Sequence, residues 1–138
     1  MKILLAEDNP VNQRVTQGLL ERQGHQVVVA ADGGEATEIL EDEEGFDLVL
    51  MDIQMPGVDG YVATQIIRDR EAKTGGHIPI VALTAHAMKG DRERTLKAGM
   101  DAYLSKPVSA DDLYAMIRRF SGGASSGSSG ESPTRRGE

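Results

Sequence analysis

An apolar run that ends abruptly in a carboxylate constrains the fold of this chain more than any other feature. Residues 46–51 form the run, Asp52 follows it directly, and a Pro-Gly pair comes soon after at positions 56 and 57. A continuous apolar run of this length predicts a strand that is covered on both faces, as in a parallel sheet. Asp52 is therefore expected at the carboxyl end of a strand, where open α/β sheets place their chemistry.

Apolar runs with strand character alternate with helical patterns along the chain. The other four strand-like runs cover residues 2–6, 27–30, 78–83 and 102–104. A segment with apolar residues at helical spacing follows each of the five runs. Strands separated by single helices imply parallel pairing and right-handed crossovers. The sequence therefore predicts a five-stranded doubly wound α/β sandwich.

The first helical segment begins with a recognisable start signal. Asn9 is a typical N-cap residue, and Pro10 is favoured in the first turn of a helix. Val11, Val15 and Leu19 recur every four residues, which predicts an amphipathic helix with these residues on its apolar face. The candidates for outward positions on this helix are Gln13, Arg14, Gln17 and Arg22.

The bulk properties of the chain limit what it can be. Its 138 residues suit one domain, and a net charge of −7 argues against direct binding to nucleic acid. The absence of cysteine excludes a disulfide framework and a thiolate metal site. No run of about 18 apolar residues is present, so no membrane contact is expected. The chain enters its first strand directly, without a signal peptide, which predicts a cytoplasmic location.

The end of the chain has a different composition. Residues 121–130 consist of five Ser, four Gly and one Ala, which is the composition of a flexible linker. Residues 131–138 are polar and show no periodicity. We therefore expect a folded domain over residues 1–121 and a Ser/Gly-rich flexible tail or linker over residues 122–138.

Polar residues follow four of the five predicted strands. They are Glu7, Asp8, Asp52, Thr84 and Lys106. Because the carboxyl ends of parallel strands lie side by side, these residues are expected to meet at one edge of the sheet. Three converging carboxylates repel one another, which either raises their pKa values or demands a cation, and oxygen ligands suit Mg²⁺. With an ammonium and a hydroxyl added, such a set can handle a phosphoryl group, which an Asp can accept as an acyl phosphate.

Four motifs give this constellation a family resemblance. They are AEDN at residues 6–9, MDIQMPGVDG at 51–60, ALTA at 82–85 and YLSKP at 103–107. Over residues 1 to about 120 the chain resembles the receiver domains of response regulators, the phosphoacceptors of two-component signalling. The resemblance implies a flavodoxin-like (βα)5 fold with a five-stranded parallel sheet in the strand order 2-1-3-4-5.

The resemblance also implies roles for individual residues. Asp52 is the implied phosphoacceptor, and Thr84 and Lys106 are implied to bind the phosphoryl oxygens. The Lys106-Pro107 peptide bond is implied to be cis, which would aim the Lys side chain inward. The implied ligands of Mg²⁺ are Glu7, Asp8, Asp52 and the main-chain carbonyl of Gln54.

A switch and a lifetime control complete the expected machinery. On phosphorylation Thr84 is implied to move toward the phosphate while Tyr103 turns inward. This movement would reshape the face formed by the fourth helix, the fifth strand and the last helix. Gln54 lies two residues past Asp52, and His86 lies two residues past Thr84. From this spacing alone we expect both to tune the hydrolysis of the acyl phosphate.

The sequences of two segments indicate one group of proteins within this family. Residues 5–13 and 84–88 are similar to receivers of hybrid sensor histidine kinases, in which a phosphoryl group moves between His and Asp residues. The implied partner is the dimerisation and phosphotransfer domain of a histidine kinase, or a His-containing phosphotransfer domain, docked beside the first helix. We expect the chain to be a monomer, tethered to a membrane sensor only through a parent protein.

Other functions remain open at this point. A stand-alone single-domain response regulator fits the same motifs. An interaction module that has lost phosphorylation is a further rival, but every residue that the chemistry needs is present. A phosphatase of the haloacid dehalogenase type also uses Mg²⁺ and a strand-end Asp, but it carries a second Asp where this chain has Gln54. The isolated domain is not expected to be an enzyme, except that it would catalyse its own phosphorylation and dephosphorylation.

Overall fold

The computed structural model describes residues 1–53, 59–85 and 89–125. Five strands and five helices alternate within these ranges, as predicted. The strands are β1 (Lys2–Ala6), β2 (Gln26–Ala30), β3 (Leu48–Asp52), β4 (Ile80–Thr84) and β5 (Ala102–Ser105). The helices are α1 (Pro10–Arg22), α2 (Gly33–Asp42), α3 (Gly60–Thr74), α4 (Lys89–Lys97) and α5 (Ala110–Ser125).

The five strands form one parallel sheet in the order β2-β1-β3-β4-β5. This order confirms the predicted flavodoxin-like fold. The chain moves outward from β1 to β2 and then returns past β1 to β3, β4 and β5. Because parallel crossovers are right-handed, this reversal puts α1 on one face of the sheet and α2, α3 and α4 on the other. It also opens a crevice at the carboxyl ends of β1 and β3, where such folds bind ligands.

Strand β3 occupies the middle of the sheet, and all five of its residues are buried. Val49 and Met51 pack on one face in a core cluster with Leu4 of β1, Ala36 of α2 and Ile67 of α3. Alternate side chains of a strand point to opposite faces, so a strand buried at every position must be covered on both. This burial holds the end of β3 in a fixed place.

Helix α1 begins as predicted but buries a different face. The Asn9 side chain accepts hydrogen bonds from the backbone N–H groups two and three residues later, at 2.9 and 3.1 Å, and so caps the helix. The predicted apolar face is wrong at its first two positions, because Val11 and Val15 are 63% and 53% exposed. The helix buries Thr16 and Leu20 instead.

Aspartates also cap α2 and α3. Asp32 and Asp59 each accept a hydrogen bond from the backbone N–H three residues later, at 2.8 and 2.9 Å. Helix α2 ends at Asp42, and Glu43 already has an extended backbone. The acidic residues at this end disfavour a longer helix, since negative charge opposes the dipole at the carboxyl end of a helix.

A polar group that we call the Arg68 cluster lies at the amino ends of β4 and β5. It consists of Arg68, Glu71 and Asp101. Arg68 lies 2.6 Å from Glu71 Oε1 and 2.8 Å from Asp101 Oδ2, and it donates to the carbonyls of Ile78 and Gly99. The two carboxylates accept backbone N–H groups at the start of β4. The cluster therefore joins α3 to the loops that enter β4 and β5.

The chain divides into two compact units, and the second begins at Ser109. The first unit holds the sheet and helices α1 to α4. The described part of the second is α5, which continues to Ser125, four residues past the predicted domain boundary. Residues 126–138 lie outside the described ranges, so the flexible tail stays a prediction. Within the described ranges, no helix is both long and apolar enough to cross a membrane.

Candidate functional site

Three carboxylates meet at the carboxyl ends of β1 and β3. The two strands are direct neighbours in the sheet, so the residues that end them lie side by side. One oxygen from each of Glu7, Asp8 and Asp52 lies within 4.8 Å of the other two. Glu7 and Asp52 are 2% and 1% exposed, whereas Asp8 is exposed. The result is an acidic pocket that solvent reaches on the Asp8 side.

Lys106 brings a cation to this pocket from the end of β5. Its Nζ lies 2.7 Å from Asp52 Oδ2 and 3.1 Å from Glu7 Oε1. Burial alone would lower the pKa of Lys106, but hydrogen bonds to Asp52 and Glu7 and their negative charges outweigh burial and raise the pKa. Lys106 is therefore an ammonium at neutral pH. The Lys106-Pro107 peptide bond is cis, as the resemblance implied.

The acidic pocket holds more negative than positive charge. Burial raises the pKa of Glu7, the N–H of Asn9 opposes this, and the hydrogen bond and charge of Asp52 raise the pKa further. A metal cation among the three carboxylates would oppose this rise in pKa, because an opposite charge favours the ionised form of a carboxyl group. An all-oxygen ligand set with one side open to water is what Mg²⁺ prefers. The residues present therefore fit Mg²⁺.

Gln13 contacts the backbone at the end of β1, although its helical spacing predicted an outward position. Its Nε2 donates a hydrogen bond to the main-chain carbonyl of Glu7. Gln17, one turn later, instead donates to Glu21 on the same helix at 3.3 Å. Residue type does not separate the two glutamines. Only the distance from the Asn9 cap, and therefore from the end of β1, could have identified Gln13.

Gly60, the first residue of α3, lies against the end of β3. A Cβ at this position would be 2.5 Å from the carbonyl oxygen of Asp52 and 2.7 Å from the Cα of Ile53. Real Cβ atoms do not approach backbone atoms so closely. Glycine therefore lets α3 begin in direct contact with the backbone of Asp52. This close contact explains why glycine follows Asp59 in the second motif.

Thr84 and Tyr103 lie on the two strands beyond β3. Thr84 is 2% exposed, and its carbonyl accepts the backbone N–H of Lys106 at 2.7 Å. Tyr103 is half-buried, pairs with Ala82 and packs against the core cluster. The backbone thus joins Thr84 to Lys106. The predicted roles of Thr84 and Tyr103 in a switch stay predictions.

Two predicted site residues, Gln54 and His86, lie outside the described residues. The carbonyl ligand and the control of lifetime therefore stay predictions. His77 lies 2.7 Å from Asp101 in the Arg68 cluster, and His25 lies at the start of β2. Neither of these two histidines is at the edge of the sheet that carries Asp52.

Comparisons with curated proteins give a consistent family. The model of the response regulator receiver domain matches residues 3–118. Hybrid signal transduction histidine kinase I of Dictyostelium discoideum is 46% identical over 120 residues, and sensor protein GacS of Pseudomonas syringae pv. syringae is 47% identical over 122. The matches cover 84% and 88% of this chain but 7% and 13% of those relatives. The chain therefore spans a small part of their length.

A short relative and two solved structures complete the comparison. The polar-differentiation response regulator DivK of Brucella ovis is 38% identical, with 88% of this chain and 97% of DivK covered. The Ssk1 receiver domain of Saccharomyces cerevisiae, co-crystallised with the histidine phosphotransfer protein Ypd1, has a TM-score of 0.83 at 32% identity, covering 87% and 88%. The receiver domain of PA1611 from Pseudomonas aeruginosa PAO1, solved with magnesium in its active site cleft, has a TM-score of 0.76 at 44% identity, covering 86% and 95%.

Proposed function

The chain belongs to the response regulator receiver family of two-component signalling, and from this premise we propose that Asp52 is its phosphoacceptor. One observation carries the proposal. Asp52 is buried beside Lys106 Nζ, at 2.7 Å, and within 4.8 Å of the Glu7 and Asp8 oxygens. A nucleophile, a cation and the ligands for a divalent ion therefore lie in one pocket.

The reaction would transfer a phosphoryl group from a phosphohistidine. An Asp52 oxygen attacks the phosphorus in line with the P–N bond, which breaks as the histidine nitrogen takes the electron pair. Lys106 Nζ, now bonded to Asp52, is close enough to bind an oxygen of the arriving group. Mg²⁺, held by Glu7, Asp8 and Asp52, would neutralise further charge on the phosphoryl oxygens. The domain would thus catalyse its own phosphorylation and also the hydrolysis of the acyl phosphate on Asp52.

We propose a His-bearing helical domain as the partner, from a histidine kinase or a phosphotransfer protein. The Ssk1 receiver complex with Ypd1 supports this class of partner. The exposed Val11 and Val15 lie on α1, which begins three residues after Glu7, and they offer an apolar docking surface near the pocket. A monomeric state, no contact with nucleic acid and a cytoplasmic location stay predictions from the sequence.

The parent protein is proposed to be a hybrid histidine kinase, because the long kinase relatives match this chain at 46% and 47% identity. A stand-alone regulator is the second candidate, and the 97% coverage of DivK favours it. In either setting the output switch is proposed to run through Thr84, which is bonded to Lys106 through the backbone, and through the half-buried Tyr103.

Phosphorylation by acetyl phosphate tests the proposed function. Wild-type protein with Mg²⁺ should acquire one phosphoryl group, detected by intact-protein mass spectrometry. Excess chelator should abolish the reaction, and Asp52→Asn should not react in either condition. A phosphoryl group that appears on Asp52→Asn, or that forms at the same rate after chelation, would remove Asp52 and Mg²⁺ from the account.

Coupling to the switch has a test of its own. Thr84→Ala should still accept a phosphoryl group but should lose most of the phosphorylation-induced change in the NMR signals of β5. The physical reason is that the hydroxyl of Thr84 would be the group that follows the phosphate. A full spectral change in Thr84→Ala would show that the signal does not pass through this side chain.

A further inference from the structure

Glu7 is held by hydrogen bonds on both its backbone and its side chain. Its N–H donates to the Ala30 carbonyl at 3.0 Å, and its Oε2 accepts the N–H of Asn9 at 3.1 Å. Its Oε1 lies 3.1 Å from Lys106 Nζ. The carbonyl of Glu7 accepts the hydrogen bond from Gln13 Nε2. Gln13 is the one side chain in this set that comes from the body of a helix.

We infer that Gln13 is a positioning residue for the metal site, a role that rests on the proposed function. The carbonyl of Glu7 belongs to the peptide plane that connects Glu7 to Asp8. Because a peptide unit is planar and rigid, holding its carbonyl also restrains the N and Cα of Asp8, the atoms from which the Asp8 side chain starts. Gln13 therefore sets how the carboxylates of two successive residues converge on one ion.

The Asp8 side depends on this restraint more than the Glu7 side. Glu7 is 2% exposed and held by Asn9 and Lys106, whereas Asp8 is exposed to solvent. An exposed carboxylate gains its direction mainly from the backbone that carries it. Partners that orient metal ligands typically contribute about 10–100-fold to metal affinity. Since Gln13 acts on the backbone rather than on a ligand atom, we expect a smaller effect.

Helix α1 supplies the rigidity that such a restraint needs. The backbone N–H of Gln13 donates to the Asn9 carbonyl at 2.9 Å, in the first turn of the helix. The backbone of Gln13 is therefore held in place relative to the Asn9 cap and to the end of β1. Gln17 has the same side chain on the same helix, but it bonds to Glu21 and not to the β1–α1 loop. The chain thus contains its own matched control.

Calorimetric titration with Mg²⁺ tests the role of Gln13. Gln13→Met keeps the length and helix propensity of the side chain but cannot donate a hydrogen bond. The Kd for Mg²⁺ should rise roughly three- to tenfold in Gln13→Met, which corresponds to the usual net value of one hydrogen bond. Gln17→Met should bind Mg²⁺ like the wild type. Gln13→Ala, which is smaller, should repeat the effect without depending on how Met fits.

Phosphorylation kinetics separate positioning from chemistry. At subsaturating Mg²⁺, acetyl phosphate should phosphorylate Gln13→Met more slowly than wild type, and saturating Mg²⁺ should restore the rate. An unchanged Kd for Mg²⁺ in both Gln13 variants would overturn the inference, and so would an equal loss in Gln17→Met. Failure of the proposed function looks different, because wild-type protein would then bind Mg²⁺ without becoming phosphorylated on Asp52.

Discussion

Two polar clusters occupy opposite edges of the same sheet, and they are built on opposite principles. At the carboxyl edge the acidic pocket holds three carboxylates, and the ammonium of Lys106 contacts two of them, Asp52 and Glu7. At the amino edge Arg68 lies between two carboxylates and two backbone carbonyls, each at hydrogen-bond distance. The first cluster sets three carboxylates against one ammonium, whereas in the second the guanidinium that pairs two carboxylates also connects two loops through their carbonyls.

The difference shows how similar residues become reactive or structural. Burial and the neighbouring Asp52 raise the pKa of Glu7, although the N–H of Asn9 and the hydrogen bond to Lys106 oppose this rise. In the Arg68 cluster the carboxylates of Glu71 and Asp101 instead hold the guanidinium of Arg68 and accept backbone N–H groups. Acidic residues at a sheet edge therefore indicate chemistry where three of them converge on one pocket, and a structural role where they share a guanidinium that connects loops.

Removing Arg68 should give the largest effect, and it should be confined to stability. The side chain of Arg68 is only 14% exposed. Arg68→Ala therefore removes the donor of two carboxylates and two backbone carbonyls in a largely buried cluster. Loss of one partner of such a buried pair costs about 3–5 kcal/mol. Urea unfolding should show this loss in the free energy of unfolding.

The matched control for Arg68 lies on the same helix. Arg70 binds Glu41 at 2.8 Å, but these side chains are 36% and 64% exposed. Arg70→Ala should therefore cost about 1 kcal/mol or less. If the two variants lose equal stability, the Arg68 cluster has no special structural role and the contrast between the two edges fails.

Gly60 should show the next largest effect, because it links stability to the acidic pocket. Gly60→Ala forces a Cβ against the backbone of Asp52, which should lower the free energy of unfolding by about 1–3 kcal/mol and slow phosphorylation. Gly18 has no heavy atom within 4 Å of its Cβ position, so Gly18→Ala should stabilise α1 by about 0.5–1 kcal/mol. If thermal unfolding showed that the two substitutions change stability in the same direction, this contrast would be contradicted.

The acidic pocket could be predicted from the sequence because its residues follow strands. Glu7, Asp52 and Lys106 each come at or just after the end of an apolar run, and the carboxyl ends of parallel strands share one edge. This reasoning needs only the strand positions and the sheet order. It does not need the orientation of any side chain, which is why it succeeded.

Side-chain orientation is where the sequence was insufficient. The pattern of Val11 and Val15 predicted a buried face on α1, but the helix buries Thr16 and Leu20. The position of the helix over the sheet chooses the face, and a short pattern with several apolar positions permits more than one. The Arg68 cluster was missed because its partners lie up to 33 residues away and include backbone carbonyls, which leave no signature in the sequence.

The smallest expected effect is a change in the pH dependence of stability that comes from Glu7 at the carboxyl edge. In chelator, unfolded Glu7 ionises around its ordinary value of 4.5, while folded Glu7 keeps its proton to a higher pH. At this residue the unfolded state then binds fewer protons, so the contribution of Glu7 to the stability of the wild type falls as pH rises from 4.5 through the raised pKa. Glu7→Gln should lack this fall, and the difference between the two proteins should level off above the raised pKa. Parallel pH curves for both proteins would refute the raised pKa.

Titration with Mg²⁺ tests most directly whether the acidic pocket is a metal-dependent phosphoacceptor site. We predict that calorimetry detects one Mg²⁺ per wild-type chain, and that Mg²⁺ at 100 times its Kd raises the free energy of unfolding by about 2.7 kcal/mol. Asp52→Asn should lose most of both effects, whereas Arg70→Ala should keep them. Equal binding of Mg²⁺ by Asp52→Asn, or no binding by the wild type, would contradict the assignment.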